Sequence, residues 1–174
     1  MNYKVIPTLT FTQAVQQALS NIFSFKGRSR RSEFWWFTLT FCVFNVALSF
    51  IYKPLVSLAA ASIISICINA LMIPISVRRL HDRNHCGILP ILVWLIDAAN
   101  NLYLIFKGYV EQLSSVNGAE KASAQLITDP VVMGLSACSV ILGVIMLVLF
   151  CKDGKKEPNR YGPSPKYVID DAEL

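Results

Sequence analysis

Charge is scarce in this chain: Asp, Glu, Lys and Arg make up 16% of 174 residues, while apolar side chains make up 54%. A soluble domain cannot hide that much apolar surface, and a bilayer removes the need to hide it. Histidine is scarcer still, at two residues, and no Walker loop, G-x-S-x-G elbow or H-E-x-x-H occurs. These absences exclude the common catalytic sets, and neither an enzyme nor a cofactor is expected. The five cysteines rule out a full disulfide framework by their odd number. Cys42, Cys67, Cys138 and Cys151 fall in apolar runs, where cysteine behaves as a small hydrophobe, and only Cys86 lies in a polar connection. A secretory signal is not expected either, because more than thirty residues precede the first apolar run and that run is too long for a signal core. The net charge of +5 would suit nucleic acid, but the basic residues stand at the ends of apolar runs rather than along one stripe. Nucleic acid is therefore not an expected partner.

What the sequence has instead is four long apolar runs, at about residues 34–51, 54–77, 88–106 and 131–151. Each is long enough to cross the hydrocarbon core as a helix, the form that satisfies its own backbone hydrogen bonds in lipid. The expected fold is an all-α integral membrane protein, a four-transmembrane-helix bundle preceded by a short amphipathic helix. Residues 1–33 form a cytoplasmic segment, 34–151 the membrane domain and 152–174 a tail. In the first segment Phe11, Val15, Ala18, Leu19, Ile22 and Phe23 share one helical face, and Thr10 with Gln13 fits a capping box. Both a membrane-interface position and ordinary packing on the bundle suit that helix. Pro74 predicts a kink in the second run. Asp97, Asn100 and Asn101 interrupt the third, which predicts a kinked or incomplete span. Ser57, Ala61 and Ser65, and again Ser139 and Gly143, recur every four residues as close-packing faces. The connection at 107–130 carries no chemical motif and is expected to be partly helical.

Orientation follows from the basic residues. Lys4, Lys26, Arg28, Arg30, Arg31, Arg78, Arg79, Arg83, Lys152, Lys155, Lys156, Arg160 and Lys166 fall on one side, and Lys53, Lys107 and Lys121 on the other. Thirteen against three puts both termini in the cytoplasm, with Trp35 and Trp36 at the interface.

Three polar motifs are expected to converge at that face: Gly27-Arg28-Ser29-Arg30-Arg31-Ser32-Glu33, Arg78-Arg79-Leu80-His81-Asp82-Arg83 and Asn159-Arg160-Tyr161-Gly162. Glu33, His81, Asp82, Asn159 and Tyr161 would shape this platform. Arg28, Arg30, Arg31, Arg78, Arg79 and Arg160 have two open meanings: internal pairing with the carboxylates, or contact with anionic lipid headgroups or a partner protein. His81 and His85 have the i, i+4 spacing of a metal pair, with Cys86 adjacent. Asn84 and Gly87 predict a turn that breaks this spacing, and no second cluster completes four ligands, so no metal is expected.

Asp97 is the most costly residue in the chain. It lies nine residues from Ile88, or ~13 Å along a helix, where an ionised carboxylate costs roughly 2.5–3.5 kcal/mol on insertion scales. Asn69 and Asn45 fall at comparable depth, so the three are expected to meet inside the bundle. A proton or cation path and a neutral, hydrogen-bonded helix contact are both consistent with that placement.

The run from Phe23 through Lys26-Gly27-Arg28-Ser29-Arg30-Arg31-Ser32-Glu33 to Phe37 resembles the opening of a bacterial inner-membrane family. This is domain-of-unknown-function family 805, of the YhaH/YhaI type. Val77-Arg78-Arg79-Leu80-His81-Asp82 looks like its middle motif and Asn159-Arg160-Tyr161-Gly162-Pro163 like its closing one. The family usually has tryptophan where Ile88 follows Gly87 here, and its third span often has proline and glycine near the place of Asp97. The resemblance implies a bacterial plasma-membrane protein and no particular activity. The leading expectation is a non-enzymatic membrane module whose Arg-rich platform binds anionic lipid or a protein, a homo-oligomer included. Transport through Asp97 is the alternative, and a membrane-embedded enzyme using His81 and Asp82 comes third.

Overall fold

The computed structural model describes residues 3–114 and 118–169. In chain order it comprises β1 (Tyr3–Val5), α1 (Phe11–Ser20), α2 (Arg31–Tyr52), α3 (Leu58–Ala70), α4 (Ile73–Asp82), α5 (Ile88–Phe106), α6 (Tyr109–Ser114), α7 (Ala119–Thr128), α8 (Pro130–Cys151) and β2 (Tyr167–Ile169). Four stretches are long and apolar enough to cross a membrane: Arg31–Tyr52, Leu58–Asp82, Ile88–Phe106 and Pro130–Cys151. Within their most apolar windows only 17%, 17%, 11% and 6% of residues are buried inside the protein. The apolar surface therefore faces outward, as a bilayer requires, and the all-α membrane architecture is the one expected.

Local chemistry explains the element ends. Thr10 and Gln13 form the expected capping box at the start of α1, each side chain satisfying the other's backbone N–H. The second apolar stretch is broken at Leu71–Met72, and α4 resumes with Pro74 in its first turn, where a missing N–H costs nothing. α4 ends because Asn84 adopts the left-handed conformation (φ 65°) and its N–H reaches the His81 carbonyl. The third span is continuous despite Asp97, Asn100 and Asn101. Asn101 Nδ2 donates to the Asp97 carbonyl one turn back (2.8 Å), so its amide lies along the helix without displacing the backbone ladder.

The chain clusters into two compact units. The first gathers the residues up to Val43, Leu71–Pro90 and the chain from Met146 onward. Its core is Phe34, Phe37, Ile75, Val77, Leu80 and Phe150, with Phe34 and Phe150 in ring contact at 4.5 Å. Ala14 and Ala18 are the buried stripe of α1, while Phe11, Leu19 and Phe23 are exposed. The packed face is thus rotated from the expected one, because two alanines permit a close approach that the larger residues do not. β1 and β2 pair antiparallel with Lys4 opposite Val168. The second unit comprises Phe44–Ala70 and Ile91–Ile145. Ala61 and Ala122 are its most buried residues, so the expected small-residue packing holds at Ala61. It does not hold at Gly143, where an added Cβ would meet nothing within 4 Å.

Candidate functional site

The first unit brings the three polar motifs together around Asp82. Arg28 Nε donates to Asp82 Oδ1 at 2.9 Å, and Arg79 Nη1 donates to Asp82 Oδ2 at 2.8 Å. Arg28 then spends its other donors on the carbonyls of Asp82, Lys155, Glu157 and Gly162, which fastens the tail to the end of α4. Arg79 caps α8, donating to the Phe150 carbonyl from Nε (3.2 Å) and Nη2 (2.9 Å) and to the Lys152 carbonyl. These are carbonyls that a helix C-terminus leaves without intrahelical partners. Gly154 passes so close to Asp82 that any Cβ would overlap its carboxylate.

The other predicted residues have distinct places. Arg78 Nη1 donates to Glu33 Oε1 at 3.2 Å, and both side chains are buried. Arg30 holds the segment after β1, donating to the Pro7 (2.9 Å) and Ile6 (3.1 Å) carbonyls. His81 stacks on Tyr161 with ring centroids 3.6 Å apart, and Asn159 Nδ2 donates to the His81 carbonyl. Asn159 Oδ1 accepts the Tyr161 N–H and closes the expected tail turn, which Gly162 completes at φ 126°. Arg160 lies over the Tyr161 ring at 4.7 Å. Arg31 and Arg160 are exposed, whereas Arg28, Arg30, Arg78 and Arg79 are buried. Arg28, Arg30 and Arg79 place their donors on the protein's own carbonyls and carboxylates. Arg78 is paired with Glu33 through Nη1, and its Nε and Nη2 have no hydrogen-bond partner among the described residues, so these four side chains face inward partners rather than solvent. His81 and His85 do not share a helical face, since α4 has ended before His85.

Beside this junction lies a cavity of about 260 Å³ with Arg30, Arg31, Ser32, Trp35, Asp153 and Lys166 in its wall. Lys166 Nζ donates to Asp153 Oδ2 at 3.0 Å. That bond holds the Asp153 carboxyl below its ordinary value and Lys166 above its own. Sequence reasoning missed this pair, whose partners lie thirteen residues apart with no periodic pattern to link them, and also the β1–β2 ribbon, whose two short strands come from opposite ends of the described chain.

The second unit holds the intramembrane polar residues. Asn69 and Asp97 line one groove of about 350 Å³ together with Ser65, Trp94 and Asn101. Asn45, half-buried on α2, is not among its lining residues and has contacts of its own. Two of the three expected residues are thus brought together. Asn101 could have been placed there from its four-residue spacing to Asp97.

Residues 22–163 match the family described as "Protein of unknown function (DUF805)". This chain belongs to the DUF805 family. Over 152 residues, 86% of this DUF805 chain and 92% of the relative, it is 24% identical to the "Inner membrane protein YhaI" of Escherichia coli K12. Over 83 residues it is 36% identical to the "Uncharacterized protein YiiR" of Escherichia coli K12 and of O157:H7. That second likeness covers 45% of this chain and 57% of YiiR. No solved structure matches the chain. The family match spans all three polar motifs.

Proposed function

We propose that this DUF805 chain is a non-enzymatic module of the bacterial inner membrane, with both termini in the cytoplasm and a basic rim that holds anionic lipid. What carries the reading is a division of labour among the cations. The inner arginines are saturated or paired by the protein itself, while Arg31, Arg160, Lys26, Lys152, Lys155 and Lys156 stay exposed. Exposed Phe23, Phe25 and Trp36 accompany them, and aromatic rings beside basic residues suit the headgroup level of a bilayer. The inner cluster holds the rim in shape, and the rim supplies the charge.

The test is native mass spectrometry of the protein released gently from membranes containing phosphatidylglycerol and phosphatidylcholine. Arg31→Ala with Arg160→Ala removes two rim charges at about 1 kcal/mol each, so preference for phosphatidylglycerol should fall roughly 30-fold. Unchanged preference with an intact fold removes the lipid reading and leaves a protein partner for the rim.

A further inference from the structure

The groove along α3 and α5 holds a composition unusual for the middle of a span. Asp97 is nine residues from each end of α5, ~13 Å from either. Its side chain is exposed in the groove, with Oδ1 accepting the Ser139 hydroxyl of α8. Asn69 Nδ2 donates back to the Ser65 carbonyl at 2.9 Å, and Asn101 Nδ2 donates back to the Asp97 carbonyl at 2.8 Å. A carbonyl accepts only from the amide nitrogen, which leaves each amide its Oδ1 as an acceptor and one further N–H on Nδ2. Trp94 spends its indole N–H on the Ile66 carbonyl (3.1 Å), and its ring remains as a wall. Ser65 Oγ is engaged with the Tyr52 hydroxyl at 2.7 Å. The groove is therefore rich in acceptors and contains one carboxyl group and one aromatic ring.

Such a lining selects its occupant. A second copy of the same face would set carboxylate against carboxylate. A divalent metal wants several carboxylates or imidazoles, and no group of three or more His, Cys, Asp or Glu occurs among the described residues. A single carboxylate balances a single positive charge, amide oxygens accept N–H donors, and an indole face attracts a cation. The volume of about 350 Å³ lies in the range of small-molecule sites and exceeds what a bare ion fills.

We propose that this groove binds a small monovalent organic ammonium at mid-membrane, with Asp97 as counter-ion, Asn69 and Asn101 as acceptors and Trp94 as the cation-facing wall. The site is separate from the basic rim and stands whether or not the rim holds lipid.

Of the three tryptophans, Trp94 alone lines the groove, so Trp35→Phe with Trp36→Phe leaves its fluorescence as the reporter. The full chain in lipid nanodiscs is titrated with n-propylammonium chloride, and separately with sodium chloride and n-propanol. Trp94 emission is expected to change saturably with propylammonium alone, and Asp97→Asn should weaken that response about tenfold or more. No saturable change, an equal response to sodium or to propanol, or an undiminished response in Asp97→Asn would each overturn the proposal. Should Asp97→Asn lose its helical circular dichroism, Asn69→Ala and Asn101→Ala replace it. Severalfold weakening by both then supports the site, and unchanged titrations reject it.

Discussion

A buried carboxylate is costly unless each oxygen meets a donor, and at Asp82 two arginines from different motifs divide the oxygens between them. Removing the carboxylate would strand both guanidinium groups in a site where Arg79 is 1% exposed. Asp82→Ala is therefore expected to destabilise the protein by about 3–5 kcal/mol, read as a lowered melting temperature in detergent. Arg160→Ala, at an exposed position, should leave the melting temperature nearly unchanged. Equal losses in the two variants would show that the Asp82 junction is not a keystone of the fold. At this scale the sequence was partly readable. Glu33 and Asp82 were the only carboxylates within the first two basic motifs, so ion pairing there was expected. The carbonyl partners of Arg28 and Arg79 were not readable, because backbone acceptors leave no mark on composition.

Elements were legible where a side chain acts on its own backbone. Thr10 with Gln13 announced the start of α1, and Asn84 the end of α4. The start of α8 follows the same logic with a partner from afar. Asp129 Oδ1 accepts the N–H groups of Val131 (2.9 Å) and Val132 (3.3 Å), ahead of Pro130. Its Oδ2 accepts the hydroxyls of Tyr103 and Tyr109, each at 3.1 Å. Desolvation alone would raise this carboxyl, but the two N–H groups and the tyrosines outweigh it and hold Asp129 below its ordinary value. A depressed carboxylate adds stability above its unfolded value and loses it as pH falls through the folded one. The native protein should therefore lose part of its stability on acidification below the ordinary carboxylate range, and Asp129→Asn should reduce that loss. Asparagine caps nearly as well, so the same variant should cost little at neutral pH. Thermal melts of both proteins at neutral and acidic pH provide the comparison. An identical acid response in both would remove Asp129 from the account. β1 and β2 were illegible for the opposite reason: three residues each, paired across almost the whole chain, show no local period.

At the scale of the whole molecule the apolar runs announced four spans, but the charges that orient them act during insertion rather than through any contact. Orientation must therefore be read from which side of the membrane a marked residue reaches. Cys86 is suited to this, being exposed in the connection between α4 and α5, while Cys42, Cys67 and Cys138 lie within the spans. A variant retaining Cys86 alone is expected to react with a membrane-impermeant maleimide in inverted inner-membrane vesicles and not in intact spheroplasts. Thirteen cations on that side against three on the other set the expectation. Labelling in spheroplasts only would place Arg28, Arg79 and the entire rim on the far side of the membrane. The lipid facing the rim would then belong to the other leaflet, so this experiment bears on the proposed function as well as on topology. The Asp97 groove is indifferent to the result, because a residue midway along its span is equally deep from either face.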